Sequence, residues 1–195
     1  SLVWREPPPP SPAPVPLARS KGSDGATSIL ETAPSAFAGS AVCSSCHAVE
    51  HDAWAGSHHA LAERPIDAER DGPAFRPDRK IPHGSLESSA REHEGRLEVV
   101  TAGPNGAVDA HAPVRVIGVA PLEQFVVPFP GGRFQVMSLA YDRARNEWFD
   151  VFGSEDRKPH EWGFWSNRGL TWNSMCASCH MTDVRKGYDS EKDSY

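Results

Sequence analysis

Apolar and polar positions follow three different rhythms along the chain. From about Ser40 to Ala62 the spacing is helical: Ser40 is placed to cap the start, Cys43, Cys46 and His47 share a face, and Trp54 and Leu61 continue the apolar positions until Pro65 stops the run. Residues 66 to 94 are polar and turn-rich, with Pro73, Pro77 and Pro82, and read as loop. Alternation then takes over. Leu97 to Val100, the turn Gly103-Pro104-Asn105-Gly106, Val114 to Val119, Gln124 to Val127, and Arg133 to Ala140 after Pro130-Gly131-Gly132 predict a small antiparallel sheet, to which Trp148 to Phe152 adds one more strand. A connection rich in tryptophan (Trp162, Trp165, Trp172) leads to a second short helix over Cys176 to His180, and polar residues run on to Tyr195.

These elements predict an α+β chain of low regular secondary structure, with a small antiparallel sheet over 95–152 between two helical regions at 38–65 and 160–185. Residues 1–37 hold no such pattern. Glu6-Pro7-Pro8-Pro9-Pro10, Pro12, Pro14 and Pro16 favour extended polyproline conformation, so this stretch is expected to be a tail or spacer ahead of one domain at 38–195. No signal peptide is visible, and any signal or anchor is expected to have been removed or to lie outside the numbering. No stretch approaches the roughly 20 apolar residues that span a bilayer, which leaves membrane association to a removed segment or a partner. The net charge of −6 has the wrong sign for nucleic acid.

The four cysteines change the picture, because they form two copies of one pattern: Cys43-Ser44-Ser45-Cys46-His47 and Cys176-Ala177-Ser178-Cys179-His180. Each is C-x-x-C-H, the attachment pattern of a c-type haem. A given Cys should acquire a second Cys and a His at those offsets by chance on the order of once in a thousand times. One helical turn brings both thiols to one side, within reach of the two vinyl groups of a macrocycle, and sets the adjacent imidazole at the iron. Two haems c are therefore expected, with thioether links to Cys43 and Cys46 and to Cys176 and Cys179, and with His47 and His180 as proximal iron ligands. A shared zinc site, a redox dithiol and two structural disulfides are the competing readings, and none accounts for both histidines. Haem attachment of this kind implies a periplasmic or extracellular setting, or the outer face of an energy-transducing membrane.

With two large macrocycles to fill the interior, the haems are expected to be the core, and the tryptophans, Phe152 and Phe164 to pack against porphyrin faces. Seven histidines remain for the far side of each iron: His51, His58, His59, His83, His93, His111 and His160. Met175 and Met181 flank the second motif too closely to reach its opposite side, and Met137 falls in a predicted strand, so bis-His coordination is expected. His51 lies one turn past His47 on the same face and is excluded from that iron. His59, twelve residues on, would stand about 18 Å away along a continuous helix, which suits it to a neighbouring haem.

The first motif followed by Trp54-Ala55-Gly56-Ser57-His58-His59-Ala60-Leu61-Ala62 resembles the opening of multihaem cytochromes c of the family often fused to tetratricopeptide repeats and related to the hydroxylamine-pathway tetrahaem cytochromes. Val116-Ile117-Gly118-Val119, Pro121-Leu122, Phe129-Pro130-Gly131-Gly132-Arg133-Phe134-Gln135-Val136, Glu147-Trp148-Phe149 and Trp172-Asn173-Ser174-Met175-Cys176 are similar to that family too, so the likeness covers about residues 38 to 195. It implies that His59, or its neighbour His58, is a distal ligand. His83 falls where many relatives have a His, and His111 and His160 match less well. Relatives usually continue into further C-x-x-C-H motifs, so the chain is read either as a short relative or as part of a longer polypeptide, and His59 could serve a haem outside it.

The expected function is extracytoplasmic electron transfer between redox protein donors and acceptors, in company with other haem-bearing chains. Two axial histidines per iron leave no open position for substrate, so an electron carrier is expected rather than an enzyme. The alternatives are a haem subunit of a nitrogen-oxide or hydroxylamine redox enzyme, and a structural subunit of a larger cytochrome complex or filament.

Overall fold

Thirteen helices and strands, one 3-10 turn and one π-turn make up the regular elements of the described part of the chain. The computed structural model describes residues 38–195, and the expected Pro-rich tail at 1–37 lies outside the described residues. Four helices are short: α1 (Ser40–Cys43), α2 (Ala48–Ala55), α3 (Ala68–Phe75) and α4 (Ala177–His180). Nine strands form two antiparallel sheets. One has the order β1 (Glu63–Pro65), β6 (Arg115–Ile117), β7 (Leu122–Phe129), β8 (Arg133–Asp142), β9 (Glu147–Asp150); the other runs β2 (Arg79–His83), β3 (Leu86–His93), β4 (Arg96–Ala102), β5 (Val108–His111). The mixed α and β character agrees with the sequence reading; the second sheet and the extent of strand do not.

The 66–94 region is the largest correction. Asp67 caps α3 by accepting from the N–H groups of Glu69 and Arg70 at 2.9 and 2.8 Å. Pro73 inside this helix and Pro82 in β2 disguised both elements. A prolyl residue is tolerated in β2 because that strand is the edge of its sheet. β3 reads Leu-Glu-Ser-Ser-Ala-Arg-Glu-His, and its inward positions are Ser88 and Ala90, residues too small or polar to register as a hydrophobic alternation. The predicted helix from Ser40 to Ala62 also fails as a single element. It breaks at Ser44 to His47 and ends at Ala55, and neither α1 nor α2 buries a residue, so no apolar face holds a longer helix together.

The core is made of protein rather than reserved for macrocycles. One apolar cluster draws on both sheets and α3, including Ile81, Val99, Val127, Met137, Leu139 and Tyr141. At its centre Phe75, Phe125 and Trp148 stand with ring centroids 5.1 to 5.4 Å apart. The indoles of Trp148 and Trp165 donate to the carbonyls of Ala74 and Ala102, each at 2.7 Å. Trp148, Trp165 and Phe164 therefore pack against protein, contrary to the expectation that porphyrin faces would receive them.

β8 is buried on both sides, which its sequence explains. Gln135, Met137, Leu139 and Tyr141 alternate with Val136, and Val136 faces outward with Val126 into a second, smaller cluster completed by Trp172 and Ala177. The segment bearing the second cysteine motif is what covers that outer face.

A charged network stitches β1, α3 and β7 together. Arg64 donates to both carboxylate oxygens of Asp71 at 2.7 and 2.8 Å and to Glu123 at 3.1 Å, and Arg143 donates to both oxygens of Glu123. Asp71 and Glu123 are fully buried. Burial alone would lower the pKa of Arg64, but its bonds and attraction to Asp71 and Glu123 outweigh that and raise it. Two cations meet two anions, so the buried carboxylates are neutralised, with Arg143 reaching in from the partly exposed edge of the cluster.

Candidate functional site

The first C-x-x-C-H is a tight turn between α1 and α2. The Cys43 carbonyl accepts from the N–H groups of Cys46 at 3.3 Å and His47 at 2.9 Å, which wraps both cysteines and the histidine around one turn. Ser44 and Ser45 return their hydroxyls to the carbonyls of Ala41 and Val42, at 2.7 and 3.2 Å. Cys43, Cys46 and His47 are all exposed. So are the apolar side chains around them: Val42 is 61 % exposed, Val49 79 % and Trp54 43 %. A turn this apolar on its surface, with no buried residue beneath it, suits a large apolar group fastened from outside.

The second motif has the same reactive groups on a firmer base. A π-turn over Trp172–Cys176 passes directly into α4. Asn173, 2 % exposed, holds the turn to the start of β8: its Oδ1 accepts from the Phe134 N–H at 2.8 Å, and its Nδ2 donates to the Gly132 carbonyl at 3.2 Å. Thr171 pairs with Gln135 in an isolated antiparallel bridge. Trp172 and Ala177 are sealed into the outer cluster, while Cys179 and His180 remain exposed. Cys176 is half-buried, and burial, with a smaller contribution from Cys179, pushes its thiol above the ordinary value. The Trp172 ring lies 5.5 Å from that of His180, and its indole N–H is buried with no acceptor among the described residues. That orphaned donor, near one half-buried thiol, one exposed thiol and an imidazole, fits a prosthetic group bearing acceptor oxygens.

All four cysteines are free, so neither pair forms a disulfide. Among the described residues no three His, Cys, Asp or Glu side chains converge as metal ligands, and the shared zinc site is therefore absent from this arrangement.

The four distal candidates sit in unlike places. His58 and His59 are exposed on the turns after α2, with no hydrogen-bond partner among the described residues. Because α2 stops at Ala55, the distance argument that kept His59 from the first iron no longer applies. His83 is occupied on both sides: Nδ1 lies 3.1 Å from Asp150, and Nε2 lies 2.7 Å from the Ser88 hydroxyl, in a nearly closed setting. His111 is stacked on Phe129, with centroids 6.0 Å apart, and meets the Trp165 ring edge-on at 5.0 Å. Its Nε2 is buried without a partner, and burial lowers its pKa against the opposing pull of Asp109 and the Thr101 backbone. One ring nitrogen is therefore unspent.

Sequence reasoning found the thiols and histidines but missed what seats the second turn. Asn173 and Gln135 are polar residues in apolar surroundings, and only the Trp-Asn pair just ahead of Cys176 hinted at an anchor. Comparisons of the chain with protein-family models, with curated proteins and with solved structures found no match.

Proposed function

We propose that this chain is a dihaem electron-transfer module of the c type, working in the periplasm, outside the cell or on the outer face of an energy-transducing membrane. One observation carries the reading: both C-x-x-C-H turns leave one or both cysteines and the histidine exposed, with Cys176 half-buried at the edge of the smaller cluster, while the main apolar core closes without them. Bound there, haem iron supplies one-electron chemistry by cycling between ferrous and ferric states. Cys43 and Cys46 would hold the first group and Cys176 and Cys179 the second, and His47 and His180 would bind the irons. Distal ligation falls to His58, His59 or His111, since both ring nitrogens of His83 already have partners. The resemblance of residues 38 to 195 to multihaem cytochromes c supports the same reading. A net charge of −6 suits basic redox proteins as donors and acceptors, or docking with other haem-bearing chains.

The test is production with export and haem attachment, followed by intact mass and paramagnetic resonance. Two added haems and wholly low-spin iron are expected. A colourless mature protein, or a mass without added groups, would overturn the reading. High-spin iron that binds small ligands would move it to a subunit of a redox enzyme.

A further inference from the structure

An open cleft of about 450 Å³ lies where separate stretches of the chain meet, lined by Arg133, Pro159, His160, Trp162, Asn167 and Arg168. None of these residues belongs to either cysteine motif. The fold fixes the walls. The Asn167 amide donates to the carbonyls of Pro159 and Glu161 at 2.6 and 2.7 Å, and the Gly169 N–H donates to the Trp162 carbonyl at 3.1 Å. Trp162 is 64 % exposed, yet its indole lies so close to Gly169 that a Cβ there would stand 2.8 Å away, an approach that requires glycine. The ring is a flat apolar wall, backed by the chain and turned to solvent.

The charge of the cleft runs against that of the chain. Acidic side chains outnumber basic ones by 26 to 20, but the lining holds two guanidinium groups, an imidazole and no carboxylate. Arg168 donates to both oxygens of Asp193 at 2.9 Å, and the half-exposed Tyr188 donates to the same carboxylate at 2.7 Å. Arg133 lies over the Phe129 ring, 5.0 Å from its centroid. Its side chain makes no ion pair or hydrogen bond among the described residues, and its Nε is buried without a partner. Asp193 is held below the ordinary carboxylate value by Tyr188 first and then by Arg168, with a smaller pull from Arg133, so both cations share this one acid. Glu161, in the same loop as Trp162, is engaged elsewhere, accepting from the Lys158 N–H at 2.9 Å. One positive charge is left over.

The chemistry of the walls selects the occupant. A free guanidinium takes carboxylates through paired hydrogen bonds, and an exposed indole takes a flat aromatic or prolyl side chain. The cleft is too open to enclose a small molecule on most sides. Trp, Tyr and Arg, by contrast, are the side chains on which protein contacts concentrate their binding energy. Because the walls are fixed in advance, little ordering cost opposes a partner.

We infer that this cleft docks an acidic segment of a partner protein, with Arg133 and Arg168 taking its carboxylates and Trp162 the apolar side chain between them. The contact is distinct from the basic partners that the overall charge of −6 suits, and it does not depend on the haem reading.

The experiment titrates the purified full chain against a short fluorescein-labelled peptide in which glutamates flank a phenylalanine–proline pair, read by anisotropy at low salt. Saturable binding that weakens as salt is raised is expected. Arg133→Gln and Trp162→Ala should each weaken it about tenfold, and Trp162→Phe should recover most of the loss. Arg96→Gln, on an exposed strand position, should leave it unchanged. Neither Arg133 nor Trp162 belongs to an apolar cluster, so the variants should keep the parent's circular dichroism. Failure of the peptide to bind the parent chain, or equal binding by Arg133→Gln and Trp162→Ala, overturns the inference. So does full displacement by free glutamate at the same carboxylate concentration, which would make the cleft a small-anion site. Salt-sensitive self-association abolished by Arg133→Gln overturns it too, by making a second copy of the chain the occupant. A chain that attaches no haem would overturn the haem reading and leave this titration as it is.

Discussion

Replacing Asn173 with alanine tests whether the second motif is seated by the fold rather than by a bound group. The side chain makes two bonds to β8 and its approach, at 2.8 and 3.2 Å, and is almost wholly buried. Each such bond contributes about 1 kcal/mol net, and leaving the Phe134 N–H without an acceptor adds a penalty of the same order. The turn should therefore loosen by about 2–3 kcal/mol. Trp172 and Ala177 keep their apolar contacts, so the opening should be local, not global. Hydrogen exchange followed by mass spectrometry reads this directly. Since 1.4 kcal/mol corresponds to a factor of ten, amides of residues 171 to 181 should exchange at least about 30-fold faster, while β4 and the centre of β8 hold their protection. Exchange within twofold of the parent protein at 171 to 181 would refute the reasoning. A uniform rise across the whole chain would refute it differently, by showing that the turn and the sheet open as one unit.

Four further outcomes follow from the same geometry. Asp71→Ala leaves Arg64 buried beside Glu123 alone and should cost about 3–5 kcal/mol in chemical denaturation; a loss under about 1 kcal/mol would contradict the buried network. His83→Phe breaks the contacts to Asp150 and Ser88 and should cost about 1–3 kcal/mol without changing the low-spin spectrum of the haem-loaded protein; new high-spin iron would identify His83 as a ligand after all. The Asp156 carboxylate is held at about 2, below its ordinary 3.8, by Lys158 first and then by Ser85. A depressed carboxylate stabilises the fold above its unfolded value and loses that contribution as pH falls through its folded value, so Tm should decline less steeply between pH 4 and pH 2 in Asp156→Asn than in the parent. In the chain before haem attachment, Cys179 should alkylate ahead of Cys176 near neutral pH, because burial raises the Cys176 thiol; equal rates would contradict the half-buried placement.

How much of this was legible in the sequence depended on which residues carried the signal. β7 and β8 were visible because Phe125, Val127, Met137, Leu139 and Tyr141 alternate with their neighbours and Pro130-Gly131-Gly132 marks the turn between them. α3 and β3 were hidden because their inward positions include Asp71, Gly72, Ser88 and Ala90. Asp71 is buried only because Arg64, seven residues earlier, and Arg143, far along the chain, neutralise the cluster, and no local pattern encodes that pairing. The thiols and histidines were legible as a pair of identical spacings. The cradle of the second pair was not, since Asn173 meets Gly132 and Phe134 only after the β7–β8 hairpin has formed.

The two attachment turns also differ in what they owe to the rest of the chain, and this bears on how an electron carrier would be assembled from them. At the second turn the fold comes first: Thr171, Trp172, Asn173 and Ala177 are buried against β7 and β8, Cys176 is half-buried beside them, and Cys179 and His180 project from a finished surface. A group attached there inherits its orientation from the sheet. At the first turn the order is reversed, because α1 and α2 bury nothing and leave Val42, Val49 and Trp54 in water. Covering those three side chains would contribute roughly 1.5–3 kcal/mol each on the scale of full burial, an upper bound for a partly covered surface. Whatever binds Cys43 and Cys46 therefore organises that segment as well as occupying it. On the proposed reading the second site would be set by the protein and the first by its ligand, so removing the Cys43 and Cys46 pair should alter the 40–55 segment and leave the two sheets as they are.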